Sequence, residues 1–227
     1  MLPRLVKMIE AIVYGDDDDE GKYVRKILSE YRNKRHLYEE FRGAVHKLLD
    51  ATLKENNYKY QIVSRTKTLE RLREKLLRKA ATGKRYRTID DIEDLSGIRV
   101  LFYSESDKEK FVREFKKEMD GPFHLKEKKE KNGYEATHIV MALGPKRLEL
   151  SEYRHFSGLK AEIQATSLLC HTWAEIEHDF IYKDVTGLAQ RDPAKFAVLK
   201  RKLGDVLNKH IKRASAEFEE IIKWAEE

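Results

Sequence analysis

A chain of 227 residues, 41% of them hydrophobic and 38% charged, is long enough to bury one substantial core and reads as globular, not disordered. Lys and Arg outnumber Asp and Glu by 46 to 40, and the net charge of +6 ranks polyanions such as nucleotides or RNA above acidic partners. The one cysteine, Cys170, cannot close an internal disulfide, and with no signal-like or long apolar segment the chain reads as cytoplasmic.

Leu2 to Tyr14 is apolar at intervals but interrupted by Arg4, Lys7 and Glu10, which predicts a helix or arm and no membrane span. The acidic run Asp16 to Glu20 lacks the alternating ligands of a calcium loop and predicts a solvated turn. From Gly21 to Leu53 apolar residues recur every three or four positions, predicting two helices or one long one. Tyr58 to Val63 alternates as a short strand. Thr68 to Ala81 follows as a helix with Leu69, Leu72, Leu76 and Leu77 on one face, ended by Thr82 and Gly83.

Thr88 then caps an acidic turn, and Ile98 to Tyr103 has the β-branched and aromatic content of a strand. Ser106 to Glu118 reads as a helix; Phe123 to Glu130, Thr137 to Leu143 and Leu159 to Ala165 read as strands; the chain after Asp192-Pro193 reads as helical to its end. The expected organisation is a helical region (1–55), a core (56–190) and a C-terminal helical region (191–227). These form one α/β (α+β) domain, a mixed sheet flanked by helices.

Four stretches carry candidate chemistry. Ser64-Arg65-Thr66-Lys67, with Lys75 beyond, puts cations where a strand ends and a helix begins, a place that attracts phosphate, although basic residues also decorate ordinary helices. Asp94-Leu-Ser-Gly97-Ile-Arg99 sets a carboxylate, a glycine that admits close backbone approach and a guanidinium along one cleft, suited to a metal-bound triphosphate. Lys126 to Gly133 is a basic loop that delivers Tyr134, a stacking residue for a base, with His138 four residues on. Finally, Glu162 lies on an apolar strand, and the amphipathic helix after it carries His171, Trp173, Glu177 and His178.

In this order and spacing, Arg65-x-Lys67, Lys75, Asp94-x-x-Gly97-x-Arg99, Gly133-Tyr134-x-x-x-His138, Glu162-Ile-Gln164 and Trp173-Ala-x-x-Glu177-His178 resemble the RelA/SpoT-like alarmone synthetase domain, over roughly residues 60 to 185. The resemblance implies a nucleotidyltransferase-like fold. It implies ATP held by Arg65, Lys67, Lys75 and Arg99, and Mg²⁺ held by Asp94 and Glu162. The guanine of an acceptor would stack on Tyr134, with His138, His171 and Glu177 around the acceptor ribose and base. The implied reaction moves the β,γ-pyrophosphate of ATP to the 3′-hydroxyl of GDP or GTP, giving (p)ppGpp, with Glu162 or a neighbouring carboxylate taking the proton. Nothing matches the family's metal-dependent hydrolase half, as in small synthetases.

Two departures bear on substrate. Thr166 stands where the family usually has an arginine, and Glu135 stands where a basic residue usually follows the tyrosine. They leave open two other readings: a toxin-type enzyme, with a protein antitoxin as partner, that pyrophosphorylates the 3′ end of tRNA, and an inactive nucleotide- or RNA-binding module.

Overall fold

The computed structural model describes residues 19–118, 121–129 and 135–227. Helix α1 (Asp19–Glu55) is one continuous helix, since neither proline nor a run of β-branched residues interrupts it. Its stripe of Val24, Ile27, Tyr31, Tyr38, Phe41, Val45, Leu49 and Leu53 is buried along the whole length. Each of the larger members contributes roughly 1.5–3 kcal/mol by leaving water. Asp19 and Glu20, expected in a solvated turn, belong to the first helical turn, where carboxylates offset the positive end of the helix dipole. Leu2 to Tyr14 lies outside the described residues.

Strand β1 (Tyr60–Thr66) leads through the N-cap Thr68, whose hydroxyl accepts from Arg71 N at 3.2 Å, into α2 (Leu69–Ala80). The strand therefore runs further than its apolar alternation predicts and contains Arg65. The acidic turn after Thr88 is a single 3₁₀ turn, Ile89–Asp91, in which Asp91 accepts from Arg87 N and Thr88 N. β2 (Ser96–Phe102), α3 (Glu105–Glu118), β3 (Phe123–Lys129), β4 (Glu135–Met141), the short α4 (Pro145–Leu148) and β5 (Ala161–Ser167) follow. No periodicity announces α4; its four residues are too few to show one.

The strands form one sheet in the order β1-β2-β5-β4-β3, with β2 and β5 parallel and all other pairs antiparallel. In β2 and β5 alternate residues are buried: Ile98, Val100, Ile163 and Ala165 join the α1 stripe in one core. The pleat sends Arg99, Glu162 and Gln164 to the other face. That α/β (α+β) arrangement, a mixed sheet flanked by helices, is the expected fold class.

On the polar face lies α5 (Leu168–Glu177), followed by a π-helical turn (His178–Tyr182), α6 (Leu188–Arg191), α7 (Pro193–Asp205), a second π-helical turn (Val206–Ile211) and α8 (Lys212–Glu226). The expected helical tail is present, with α7 capped by the Asp192 side chain, which accepts from Lys195 N at 2.9 Å. Trp173 is buried and donates from Nε1 to the carbonyl of Leu203 at 2.8 Å, which fixes α5 against α7. Among the described residues no helix is long and apolar enough to cross a membrane.

Candidate active site

Strand register assembles the site. Arg65 pairs with Gly97, Gly97 with Glu162, Arg99 with Gln164, and Gln164 with His138, so these residues line one face across four strands. A Cβ at Gly97 would meet only the Arg65 carbonyl, at 3.6 Å, an ordinary contact. The glycine is therefore not demanded by the surrounding protein, and its effect is to leave the floor between Arg65 and Glu162 open.

At one edge of this face sits Asp94. Its two oxygens meet two lysines: Lys75 Nζ at 2.6 Å from Oδ1, and Lys67 Nζ at 3.0 Å from Oδ2. The three side chains are only 15–25% exposed. Lys67 is held from both sides of its peptide, by Tyr31 Oη donating to its carbonyl at 2.6 Å and by its own N–H donating to Leu95 O at 2.9 Å. Burial pushes the Asp94 carboxyl up, but Lys67 and Lys75 outweigh it and hold the group below the usual carboxylate range. Burial likewise pushes Lys75 down, and Asp94 outweighs it in turn, raising that ammonium above its ordinary value.

A second cluster centres on Glu162. One oxygen lies 3.0 Å from His138 Nδ1 and the other accepts from Gln164 Nε2 at 3.0 Å. Burial opposes its charge, yet the bond to His138 prevails and the carboxyl is lowered, against a smaller upward push from Asp94. The two carboxylates are thus close enough to feel each other. Gln164 also accepts from Arg99 Nε at 3.2 Å, and Arg99 Nη1 donates to Glu175 at 2.7 Å while lying 3.4 Å from His171 Nδ1. Burial, then Arg99, keep His171 below its ordinary pKa, favouring the neutral ring that can accept from the guanidinium.

The structure therefore brings Lys67, Lys75 and Asp94 together, and links Arg99, His138, Glu162 and His171 through Gln164. His138, expected to face phosphate or ribose, lies on the site face with its Nδ1 3.0 Å from Glu162. Arg65 is exposed at the edge strand of the same face. Glu177, expected on the acceptor wall, falls one turn beyond Trp173, on a different flank of α5 from His171. Tyr134 lies outside the described residues.

Sequence reasoning missed Glu175, although it stands four residues after His171. It also missed Arg78, one turn after Lys75, which donates to Tyr182 Oη at 2.7 Å and so links α2 to the turn after α5. Thr166, where an arginine is usual, is 3% exposed with an unpartnered hydroxyl, so its place on the site face is covered over.

The donor set suits a hard divalent cation. Asp94 and Glu162 offer ionised oxygens, and among the described residues no group of three His, Cys, Asp or Glu comes together. Mg²⁺ is commonly held in this way, by one or two carboxylates with phosphate and water completing the shell.

A family described as the region found in RelA / SpoT proteins matches residues 64–186, more than half of the chain. No curated protein matches at a significant level. Among solved structures, small alarmone synthetase 1 from Bacillus subtilis superposes with a TM-score of 0.63 at 20% identity, over 86% of this chain and 98% of that one. Small alarmone synthetase 2 from Bacillus subtilis gives 0.60 at 22% identity, over 84% and 99%. A GTP pyrophosphokinase family protein from Streptococcus pneumoniae gives 0.61 at 23% identity, over 85% and 92%. Further structures of synthetase 1 hold its product pppGpp and the nucleotide AMPCPP.

Proposed function

Because the chain belongs to the RelA/SpoT family, we propose that it is a pyrophosphokinase that moves the β,γ-pyrophosphate of ATP to the 3′-hydroxyl of GDP or GTP. The observation that carries this reading is the pairing of Lys67 and Lys75 with Asp94 beside Glu162 on one sheet face: two phosphate-seeking cations and two ionised carboxylates in a single cleft. The similarity to enzymes solved with pppGpp and AMPCPP supports it as well.

In this reading the triphosphate of ATP competes with Asp94 for Lys67 and Lys75. The ammonium groups turn to phosphate oxygens, and Asp94 is released to face the cation. Asp94 and Glu162 would hold Mg²⁺, which when bound supplies charge neutralisation on the phosphates. Arg99 and Arg65 flank the adenine side of the same face. The acceptor's 3′-oxygen forms a bond to the β-phosphorus as the bond from that phosphorus to the α,β-bridging oxygen breaks, and AMP leaves.

The acceptor proton passes to Glu162, which the hydrogen bond to His138 holds in the ionised form that can receive it. His171 and Glu175 wall the acceptor side, with Tyr134 as the base-stacking residue.

Incubation with γ-labelled ATP, Mg²⁺ and each guanine nucleotide, followed by thin-layer separation, tests the reading. The expected result is a slower-migrating labelled product that Lys75→Met abolishes. Label found instead on the 3′ end of deacylated tRNA would replace the acceptor with the toxin-type one, and label on neither would reject the reaction.

A further inference from the structure

On the core face of the sheet, away from the catalytic cleft, a cavity of about 250 Å³ opens between the C-terminal end of α1, α3, the end of β4 and α4. Its wall is apolar and held in place: Leu49, Phe111, Phe115 and Met141 are all at most 5% exposed, and the rings of Phe111 and Phe115 pack together with centroids 5.7 Å apart. An apolar cavity of about 150 Å³ accepts benzene. This one therefore has room for a phenyl ring or a branched aliphatic chain together with a short polar head. His138 and Glu162 project from the opposite face of the sheet, so the residues of the proposed reaction take no part in it.

The charges around this cavity are unmatched. Glu114 is already engaged, accepting from Tyr58 Oη and lying 4.0 Å from Lys110 Nζ. Glu55 and Arg147, which also line the cavity, make no side-chain hydrogen bond or ion pair among the described residues, with each other or with any other group. Glu55 is moreover the last residue of α1, where a carboxylate meets the negative end of the helix dipole and a cation is favoured. Arg147 is half-buried, so part of its charge is kept from water with no acid to offset that cost.

We propose that this cavity binds a small apolar zwitterion, an amino acid with an aromatic or branched aliphatic side chain. The side chain fills the apolar chamber, the carboxylate meets the fork of Arg147, and the ammonium meets Glu55. A purely apolar guest leaves both charges uncovered. A carboxylate that lacks the ammonium adds an anion beside Glu55 and Glu114, and an amine that lacks the carboxylate adds a cation beside Arg147, so either truncated ligand meets a repulsive group.

NMR of the full chain labelled with methyl-¹³C methionine, recorded without nucleotide, tests the site independently of catalysis. Met141 lines the cavity, and its methyl resonance is assigned with Met141→Leu. Titration with phenylalanine should shift that resonance saturably, on the roughly millimolar scale expected of a ligand of about a dozen heavy atoms. Phenylpropionate and phenethylamine, which keep the ring and one charge each, should bind at least about threefold more weakly. Arg147→Gln should weaken phenylalanine by about the same factor without weakening phenethylamine, and Glu55→Gln should weaken phenylalanine without weakening phenylpropionate.

Leu48 lines the cavity from a half-buried position on α1, and Leu48→Trp, which fills the chamber with an indole, should abolish the shift while the thermal melt stays cooperative. Binding that persists in this variant would place the ligand elsewhere and overturn the proposal. So would the absence of a saturable Met141 shift in wild type, equal affinity for phenylalanine and either truncated ligand, or an unchanged phenylalanine affinity in Arg147→Gln and Glu55→Gln.

Discussion

Lys75 Nζ stands 2.6 Å from Asp94 Oδ1, joining α2 to the segment that enters β2 across 19 residues of chain. Each group holds the other in its charged form while both are largely shielded from water. Replacing Asp94 by Asn keeps the shape and removes the charge, leaving Lys67 and Lys75 facing an uncharged partner. The expected cost is about 1–3 kcal/mol, read as a lower urea midpoint at unchanged slope, with loss of pyrophosphate transfer.

Stability should fall at both ends of the pH range, for reasons of opposite sign. Asp94 and Glu162 have lowered folded-state pKa values, so their contribution is complete above the unfolded carboxylate range, near 4, and disappears as pH drops through the folded values. Lys75 is raised, so its contribution is complete below roughly 10.4 and disappears only as pH climbs through its folded value above that. Thermal melts of wild type and Lys75→Met between pH 3 and 11 check both limbs. The variant should lose the alkaline decline that Lys75 contributes.

His171 behaves differently from the carboxylates. Its folded pKa is lowered, so the unfolded chain binds the proton more readily and stability drops as pH falls from about 6.5 towards the folded value. His171→Asn should flatten that interval in the melting curve. An unchanged curve would show that the ring gains its proton in the folded state without cost.

Several of these relationships are legible in the sequence alone. The motif residues Asp94, Gly97, Arg99, Glu162 and Gln164 could be read in order, and the burial alternation of β2 and β5 follows from their sequence. Pairings across strands could not be read, because register is set by contacts far apart in the chain: nothing local announces that His138 and Gln164 are direct neighbours. The length of α1 was ambiguous for a related reason. The polar stretch Asn33 to His36 looks like a break, and only the packing of Tyr31 and Tyr38 on the sheet side carries the helix through it. Nothing local sets Glu175 apart from Glu177 in the sequence, and only the turn of the helix puts it beside His171 and Arg99.

Glu175 holds Arg99 at 2.7 Å in an exposed bridge, and in the proposed reaction that guanidinium is needed by ATP. Glu175→Gln should free it. ATP binding by titration calorimetry should then tighten by up to about fivefold, the scale of an exposed ion pair of 0.2–1 kcal/mol. Weaker binding would mean that Glu175 orients Arg99 for the nucleotide and does not compete for it.

Thr166 presents a buried hydroxyl with no partner on a strand that otherwise packs well. Thr166→Val removes the unsatisfied group at nearly constant volume and should stabilise the fold by roughly 1 kcal/mol. Thr166→Arg, which restores the residue usual in the family, should destabilise it, because the covered position has no room for a guanidinium. Urea titration of the pair gives both signs at once.

The central claim is the identity of the bond made, and ³¹P NMR of a mixture of ATP, GDP and Mg²⁺ with the enzyme observes it directly. The account predicts a new 3′-diphosphate on the guanosine, AMP formed in equal amount, and no reaction with 3′-deoxy-GDP. ADP with inorganic phosphate as the products, or equal turnover of 3′-deoxy-GDP, would contradict it.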